Sequence, residues 1–137
     1  MRERLIGTWR LVSYETSETG SPHGRPYGDA VGRLSYDDRG NMSGQVMRPD
    51  RARVELGEGN ALQVRGAYLG YIAYFGTYEV AADGESVVHH VEGALNPAWV
   101  GGDQVRRMRF DGERLVLSAD VKKGGATVTH VLTWERC

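Results

Sequence analysis

The segment 87–110, VVHHVEGALNPAWVGGDQVRRMRF, holds several side chains that could do chemistry. Histidine gains and loses a proton near neutral pH and often serves as a general acid or base. Arginine keeps its positive charge and can bind a carboxylate or polarise a carbonyl. An acid/base site, a ligand clamp and two solvated strand faces are all open interpretations. The residues concerned are His89, His90, Glu92, Trp99, Arg106 and Arg107.

The composition restricts the class of protein. The 137 residues suit a single domain, residues 1–137, and 40% hydrophobic with 26% charged residues is ordinary for a globular protein. A net charge of −1 argues against nucleic acid and anionic membrane as partners. We find no apolar run long enough for a signal peptide or a membrane span. Cys137 is the single cysteine, so we expect no intrachain disulfide and a reducing, cytoplasmic location.

Alternating aromatic and β-branched residues predict about eight strands, most of them joined by short turns. Glycine marks three turns: Gly40 in DDRG, Gly84 in AADG, and the Asp111-Gly112 pair, which is a strong hairpin signal. An up-and-down meander of this size normally closes on itself, because closure removes exposed edges, and such a barrel can hold one small ligand. The predicted strands cover residues 8–15, 32–36, 41–47, 73–80, 85–93, 104–110, 113–119 and 126–136.

Two segments depart from this meander. Residues 16–31 are rich in Gly, Pro and Ser, which predicts a loop. The second half of residues 51–72 carries apolar residues at loosely helical spacing, which predicts one short helix at the barrel mouth. Tyr68 and Tyr71 would there either form a lid over a ligand or cap the core.

The two ends of the chain resemble the lipocalin and fatty-acid-binding superfamily, whose marks are Gly-x-Trp on the first strand and an arginine on the last. Gly7, Trp9 and Arg136 stand at those positions. The whole chain is more specifically similar to small bacterial and fungal lipocalin-like domain proteins, in the stretches GRLSYDDRGNMSGQVMRPDR, YIAYFGTYEV, HHVEGALNPAWVGGDQVRR and LTWER. The resemblance implies an all-β, eight-stranded antiparallel barrel with an enclosed ligand. Arginine stacked on tryptophan would plug its closed end, worth about 1–2 kcal/mol.

Turn geometry predicts which residues around Asp111-Gly112 face the lumen. A two-residue turn there pairs Arg106 with Leu117, which lies on the apolar face of its strand. Cross-strand partners share a face, so alternate residues of both strands point inward. The predicted inward set on the first strand is Gln104, Arg106, Met108 and Phe110, whereas Arg107 and Arg109 point to solvent.

Adjacent residues of a strand face opposite sides, so His89 and His90 cannot line one pocket together. The turn that Gly84 closes favours one of two faces, although both alternate well. The face that we favour contains Tyr74, Tyr78, Val80, Val88, His90 and Glu92. The alternative face contains Phe75, Thr77, Val87, His89 and Val91, so which histidine points inward stays open.

Three further residues are candidates for the lumen or its mouth. Trp99 lies in a glycine-flanked loop, where it either covers a ligand or anchors the packing. Tyr36 is predicted to belong to the core or the lumen wall. His130 shares a face with Trp134, and it is either a satisfied core histidine or a ligand contact.

The sequence favours a small enzyme that encloses a largely apolar or amphipathic metabolite and promotes its isomerisation or cyclisation without a cofactor, as in a biosynthetic pathway. A water-free lumen can hold a flexible substrate in a reactive conformer and strengthen each hydrogen bond. The rival is a non-catalytic carrier of a lipid-like or aromatic ligand, and a homo-oligomer stays open. No metal is predicted, because no third ligand accompanies the spacing of His90 and Glu92. The predicted catalytic residues are Arg106, His90 and Tyr78, and the predicted ligand-binding residues are Gln104, Tyr74, Tyr36, Met108, Phe110, Trp99, Leu117 and His130.

Overall fold

Strands make up most of the computed structural model, which describes residues 1–19 and 21–137. Two helices, α1 (Arg2–Leu5) and α2 (Ala61–Leu69), and a 3-10 helix at Pro97–Trp99 accompany them. The strands are β1 (Gly7–Glu18), β2 (Ser21–Gly24), β3 (Val31–Tyr36), β4 (Asn41–Met47), β5 (Tyr71–Val80), β6 (Ser86–Ala94), β7 (Asp103–Asp111), β8 (Arg114–Lys123) and β9 (Ala126–Arg136).

The sheet closes into an antiparallel barrel, as the sequence predicts. Eight strands pair in the order β1-β3-β4-β5-β6-β7-β8-β9, and β9 pairs back with β1 from Trp9↔Arg136 to Glu18↔Val128. The predicted loop 16–31 is partly wrong, since β1 runs on to Glu18 along β9 and the short β2 pairs with its end. Gly20, within that predicted loop, lies outside the described residues.

The pairing of β7 with β8 is displaced by two residues from the predicted pairing. Asp111 pairs with Arg114, so the two central turn residues are Gly112 and Glu113, and Gly112 has the positive φ of 61° that such a turn requires. Every cross-strand pair is therefore displaced by two residues, and Met108 faces Leu117. A two-residue displacement returns each side chain to the same face, which leaves the predicted inward set of β7 unchanged.

The β5–β6 turn is one residue longer than the predicted pairing requires. The backbone N–H of Ala81 donates to the carbonyl of Ser86, and Tyr78 pairs with His89 rather than with Val88. A one-residue displacement exchanges the two faces of β6, so Val87, His89 and Val91 are buried inside the barrel. The prediction that Val88, His90 and Glu92 face the lumen is wrong for this reason.

A β-bulge between Phe75 and Gly76 shifts the register again, so that Gly76 pairs with Val91 and Phe75 with Gly93. A Cβ atom on Gly76 would lie 1.8 Å from the carbonyl oxygen of His90, so only glycine lets the two backbones approach this closely.

The closed end of the barrel is plugged by Trp9, which is fully buried. Its indole Nε1 donates to the carbonyl of Leu5 at 2.9 Å, and the guanidinium of Arg136 stacks 4.3 Å from the ring centroid. Arg136 Nη1 also donates to the carbonyl of Ile6 at 2.9 Å. Gly7 leaves room for this contact, because a Cβ there would lie 2.8 Å from Arg136 Nη1. The predicted pairing of Trp9 with Arg136 is confirmed.

Helix α2 lies between the mouth ends of β4 and β5, where the sequence predicts a helix, but none of its residues is buried. Tyr68 is 38% exposed, and Tyr71 starts β5 with Arg51 stacked on its ring. Neither tyrosine lines the cavity described below, and none of α2 is buried in the core, so the choice between a lid and a core cap stays open. In the part of the chain that the structure describes, no helix is long and apolar enough to cross a membrane.

Candidate functional site

The barrel encloses a cavity of about 730 Å³, a size typical of pockets that bind small organic molecules. Its wall is mostly apolar, with a few polar groups that converge on the interior. The apolar lining includes Leu34, Met42, Val46, Ile72, Leu117, Ala119, Val121, Leu132 and Trp134. The polar side chains that project from the inner faces of the strands include Tyr14, Tyr74, His89, Gln104, Arg106 and His130.

The cavity wall parts between β7 and β8. Their ladder ends at Arg107↔Ser118, whereas β7 continues along β6 to Asp103 and β8 continues along β9 to Lys123. Arg107 stands at the outer rim of this gap, and its two terminal nitrogens donate to the carboxylate of Asp120 at 2.9 and 3.1 Å. Those hydrogen bonds are the main reason why the pKa of Asp120 falls to about 2. Arg107 is thus a paired surface residue, as predicted.

Arg106 projects into the cavity from the opposite face of β7, as predicted. Its Nη2 donates to Gln104 Oε1 at 3.1 Å, and its Nη1 donates to the carbonyl of Val105 at 3.1 Å. Among the described residues, no carboxylate lies within 4.0 Å of this guanidinium. The cavity therefore holds a positive charge with nitrogen donors and no protein anion to balance it, which favours an anionic or carbonyl oxygen of a ligand.

His89 reaches the same cavity from β6 between two tyrosines. Its Nε2 lies 2.6 Å from Tyr36 Oη, and its Nδ1 lies 2.6 Å from Tyr74 Oη. Burial, with a smaller contribution from the charge of Arg106, lowers the pKa of His89 to about 3. The imidazole is therefore neutral at ordinary pH and spans the two hydroxyl groups.

His90, the predicted catalytic histidine, lies on the outer face of β6. Its Nδ1 is 2.7 Å from Asp103 Oδ1 and its Nε2 is 3.6 Å from Glu79 Oε1. The hydrogen bond with Asp103 raises the pKa of His90, with further contributions from the charges of Asp103 and Glu79. The prediction that His90 faces the lumen is wrong, and His89 takes that place.

Tyr14 and His130 form a second tyrosine–histidine pair in the cavity, with Tyr14 Oη 2.7 Å from His130 Nδ1. Burial raises the pKa of Tyr14 to about 12, and burial followed by the charge of Arg106 lowers the pKa of His130. The Nε2 of His130 has no hydrogen-bond partner within residues 1–19 and 21–137. His130 thus lines the cavity, which its predicted role as a ligand contact requires.

Tyr14 was not among the predicted site residues. A bulge between Leu11 and Ser13 shifts the alternation of β1, so that Tyr14 is buried where a regular strand would turn it outward. The sequence carries a signal of this shift, since regular alternation from Trp9 would bring the charged Glu15 inward.

The remaining predicted residues divide by depth. Tyr74 and Leu117 line the cavity, and Trp99 lies at the mouth with its ring edge-on to Tyr74 at 6.1 Å between centroids. Three others point inward but lie towards the closed end, outside the cavity lining, so their contact with a ligand stays a prediction. Tyr78 donates its hydroxyl to the carbonyl of Asp37, Met108 is buried in the core, and Phe110 packs on Trp9.

Tyr36 lies directly behind His89 and is 2% exposed, so it meets the cavity only through the histidine. Within residues 1–19 and 21–137, no group of three or more His, Cys, Asp or Glu side chains is placed to hold a metal ion.

Comparison with known proteins places the chain in a family. A family model described as a lipocalin-like domain matches residues 6–137. No curated protein matches the chain. Two solved structures, both of mutants of the fluorescent protein UnaG, align over 100% of this chain and 99% of theirs. They are 15% and 17% identical to it, with TM-scores of 0.45 and 0.43.

Proposed function

The chain belongs to the lipocalin-like domain family, a barrel fold that binds small apolar ligands, and we propose that it is a cofactor-independent isomerase or cyclase. Its substrate is a largely apolar metabolite with one carbonyl or carboxylate group, held in the lumen. The observation that carries this proposal is Arg106, a guanidinium inside a mainly apolar cavity with no carboxylate partner among the described residues. A half-buried cation of this kind in an apolar cavity is favoured when a ligand oxygen completes its hydrogen bonds.

Arg106 is the residue that stabilises negative charge on the substrate. A carbonyl oxygen beside its guanidinium gains electron density when a proton leaves the neighbouring carbon, and the fixed positive charge lowers the energy of that enolate. The effect is large in a closed cavity, because few water molecules compete for the oxygen. Tyr74 lines the same cavity and supplies a second hydrogen-bonding hydroxyl.

His130 is the general base in this proposal, in place of the predicted His90. Its lowered pKa keeps it unprotonated near neutral pH, and its Nε2 is free of other hydrogen bonds in the described part of the chain. With Nδ1 protonated and donating to Tyr14 Oη, Nε2 presents the lone pair that accepts a proton.

The reaction then needs no external reagent. His130 takes the proton from the carbon next to the carbonyl, and the electrons of that C–H bond form a C=C bond while the carbonyl electrons move to the oxygen beside Arg106. Return of the proton to another carbon completes an isomerisation. Attack of the enolate carbon on a second carbonyl carbon of the same molecule instead forms the ring bond of a cyclisation. The electrons of that second C=O bond then move to its oxygen, which takes the proton back from His130.

Deuterium exchange of a probe ketone tests this assignment. Acetylnaphthalene fits an apolar lumen, and its methyl protons exchange with deuterated water only through the enol or enolate. We expect the protein to bind the probe and to accelerate exchange, followed by proton NMR, at least tenfold over buffer. His130→Gln should remove the acceleration and retain binding, whereas the matched His90→Gln on the outer face should keep both.

The carrier hypothesis makes a different prediction for the same experiment. A carrier binds the ketone tightly and leaves its exchange rate at the buffer value. That outcome would overturn the enzyme assignment and leave the binding function. Absence of binding would contradict both.

A further inference from the structure

We propose that Tyr36 acts through His89 to fix the direction in which Tyr74 donates its hydroxyl proton, so that the polar end of the cavity accepts only a hydrogen-bond acceptor, namely a carbonyl, carboxylate or enolate oxygen. This inference rests on the proposed function for the role of the cavity as the ligand site. It adds the class of group that the site recognises and names Tyr36 as a positioning residue, although Tyr36 does not line the cavity.

The three side chains form one continuous hydrogen-bonded chain. His89 is 2% exposed and bonds Tyr36 through Nε2 and Tyr74 through Nδ1, both at 2.6 Å. A neutral imidazole carries a proton on one nitrogen and a lone pair on the other. One tyrosine must therefore donate to the ring, and the other must accept from it.

Burial of Tyr36 decides which tyrosine donates. Its side chain is 2% exposed, and His89 Nε2 is the one partner of its hydroxyl among the described residues. If Nε2 carried the proton, the hydroxyl hydrogen of Tyr36 would be buried without an acceptor, which folded proteins avoid. Tyr36 consequently donates to Nε2, and the proton of His89 lies on Nδ1 and is donated to Tyr74 Oη.

Because Tyr74 Oη accepts from His89, the hydroxyl hydrogen of Tyr74 is free to donate to another group. Tyr74 lines the cavity, so that group can be a ligand. Trp99 packs edge-on against its ring, at an interplanar angle of 87°, which limits rotation of the side chain. Arg106 lines the same cavity and offers N–H donors only. A ligand group that meets both residues has to be an acceptor, so an ammonium group or an amide N–H, which can only donate, is excluded from this position.

The protonation states of the chain are stable over a wide pH range. Burial lowers the pKa of His89 to about 3, and burial raises the pKa of both Tyr36 and Tyr74 above the usual tyrosine range. The charge of Arg106 acts on all three groups, and at His89 it favours the neutral imidazole. The order of the protons is therefore the same at every pH at which the protein would be assayed.

Nitrogen NMR of the histidine rings in the ligand-free protein tests the proton order directly, because protonated and unprotonated ring nitrogens resonate far apart. We expect His89 to carry its proton on Nδ1 in the parent protein. Tyr36→Phe removes the group that distinguishes the two tautomers, so both nitrogens should shift towards averaged positions. The control is Tyr78→Phe, since the Tyr78 ring packs 4.8 Å from that of Tyr36 but its hydroxyl bonds Asp37. A proton on Nε2 of the parent would overturn the proposal.

A pair of probes of nearly the same shape tests the ligand class. Acetylnaphthalene carries a carbonyl oxygen where isopropenylnaphthalene carries a CH₂ group. We expect the parent to bind the ketone at least tenfold more tightly, Tyr36→Phe to lower this preference about threefold, and Tyr78→Phe to leave it unchanged. Equal binding of the two probes would overturn the acceptor site and leave the cavity as a binding site. Binding of neither probe would contradict the proposed function, and the tautomer of His89 would still decide the proton order.

Discussion

Arg136→Ala should destabilise the barrel without touching the ligand site. The change removes the guanidinium that stacks 4.3 Å from the Trp9 centroid, and it leaves the carbonyls of Arg4 and Ile6 without their side-chain donor. The stacking contributes about 0.5–1 kcal/mol at a partly exposed position, and each hydrogen bond contributes about 0.5–1 kcal/mol where water can replace the donor. The sum is about 2 kcal/mol, which lowers the Tm of a domain of this size by roughly 5–10 °C.

Thermal unfolding followed by circular dichroism, with binding of acetylnaphthalene measured beside it, checks this expectation. Arg10→Ala is the matched control, because Arg10 lies on the same end of β1 and has only a half-exposed ion pair with Glu135 at 3.8 Å. Its cost should stay within about 0.5 kcal/mol. An Arg136→Ala variant that kept its Tm but lost the probe would refute the structural role of Arg136.

Three further predictions follow from buried or crowded residues. Burial lowers the pKa of His89 to about 3, so between this value and the unfolded pKa of about 6.5 the unfolded chain binds a proton that the folded chain does not. The free energy of unfolding should therefore drop by about 2 kcal/mol from pH 7 to pH 5. Urea titrations at the two pH values measure this drop, and His89→Gln should reduce it. Gly76→Ala should cost about 3 kcal/mol or more, because its Cβ would overlap the His90 carbonyl, whereas Gly57→Ala in open space should cost less than about 0.5 kcal/mol. Tyr14→Phe should leave the fold intact and keep the pKa of His130 below its ordinary value, since burial and the charge of Arg106, which lower that pKa, both remain. A titration of the histidine ring protons by NMR measures it, and a return to the ordinary pKa would contradict this cause.

The comparison of sequence with structure turns on the parity of strand register. The predicted turn at Asp111-Gly112 was displaced by two residues, yet Arg106 still faces the lumen because side chains repeat every second position. The turn around Gly84 was displaced by one, and this exchanged His90 for His89. The alternation of apolar and polar residues in the strands does not tell how many residues a turn contains. A displacement of one residue and a displacement of two residues therefore cannot be distinguished from the sequence.

The alternation of residues in the strands also did not predict β-bulges or the position of a residue along the barrel axis. The bulge that buries Tyr14 is visible only as a break in the pattern before Glu15. Met108 and Phe110 were correctly assigned to the inner face, but alternation does not tell how far along the barrel axis a residue lies. Strand stagger in a closed barrel sets that depth, and it follows from the complete set of pairings rather than from any one strand.

The role of Arg106 as the charge-stabilising group is tested most directly by Arg106→Met, with Arg109→Met on the solvent face of the same strand as control. Methionine keeps much of the apolar bulk and removes the charge and the donors. The measurement is binding of acetylnaphthalene and deuterium exchange of its methyl protons, for parent and both variants side by side. We predict that Arg106→Met lowers the protein-dependent part of the exchange rate, after subtraction of the buffer rate, by about 10²-fold with a much smaller change in affinity, and that Arg109→Met changes neither. Exchange and binding that are both unchanged in Arg106→Met would contradict the account.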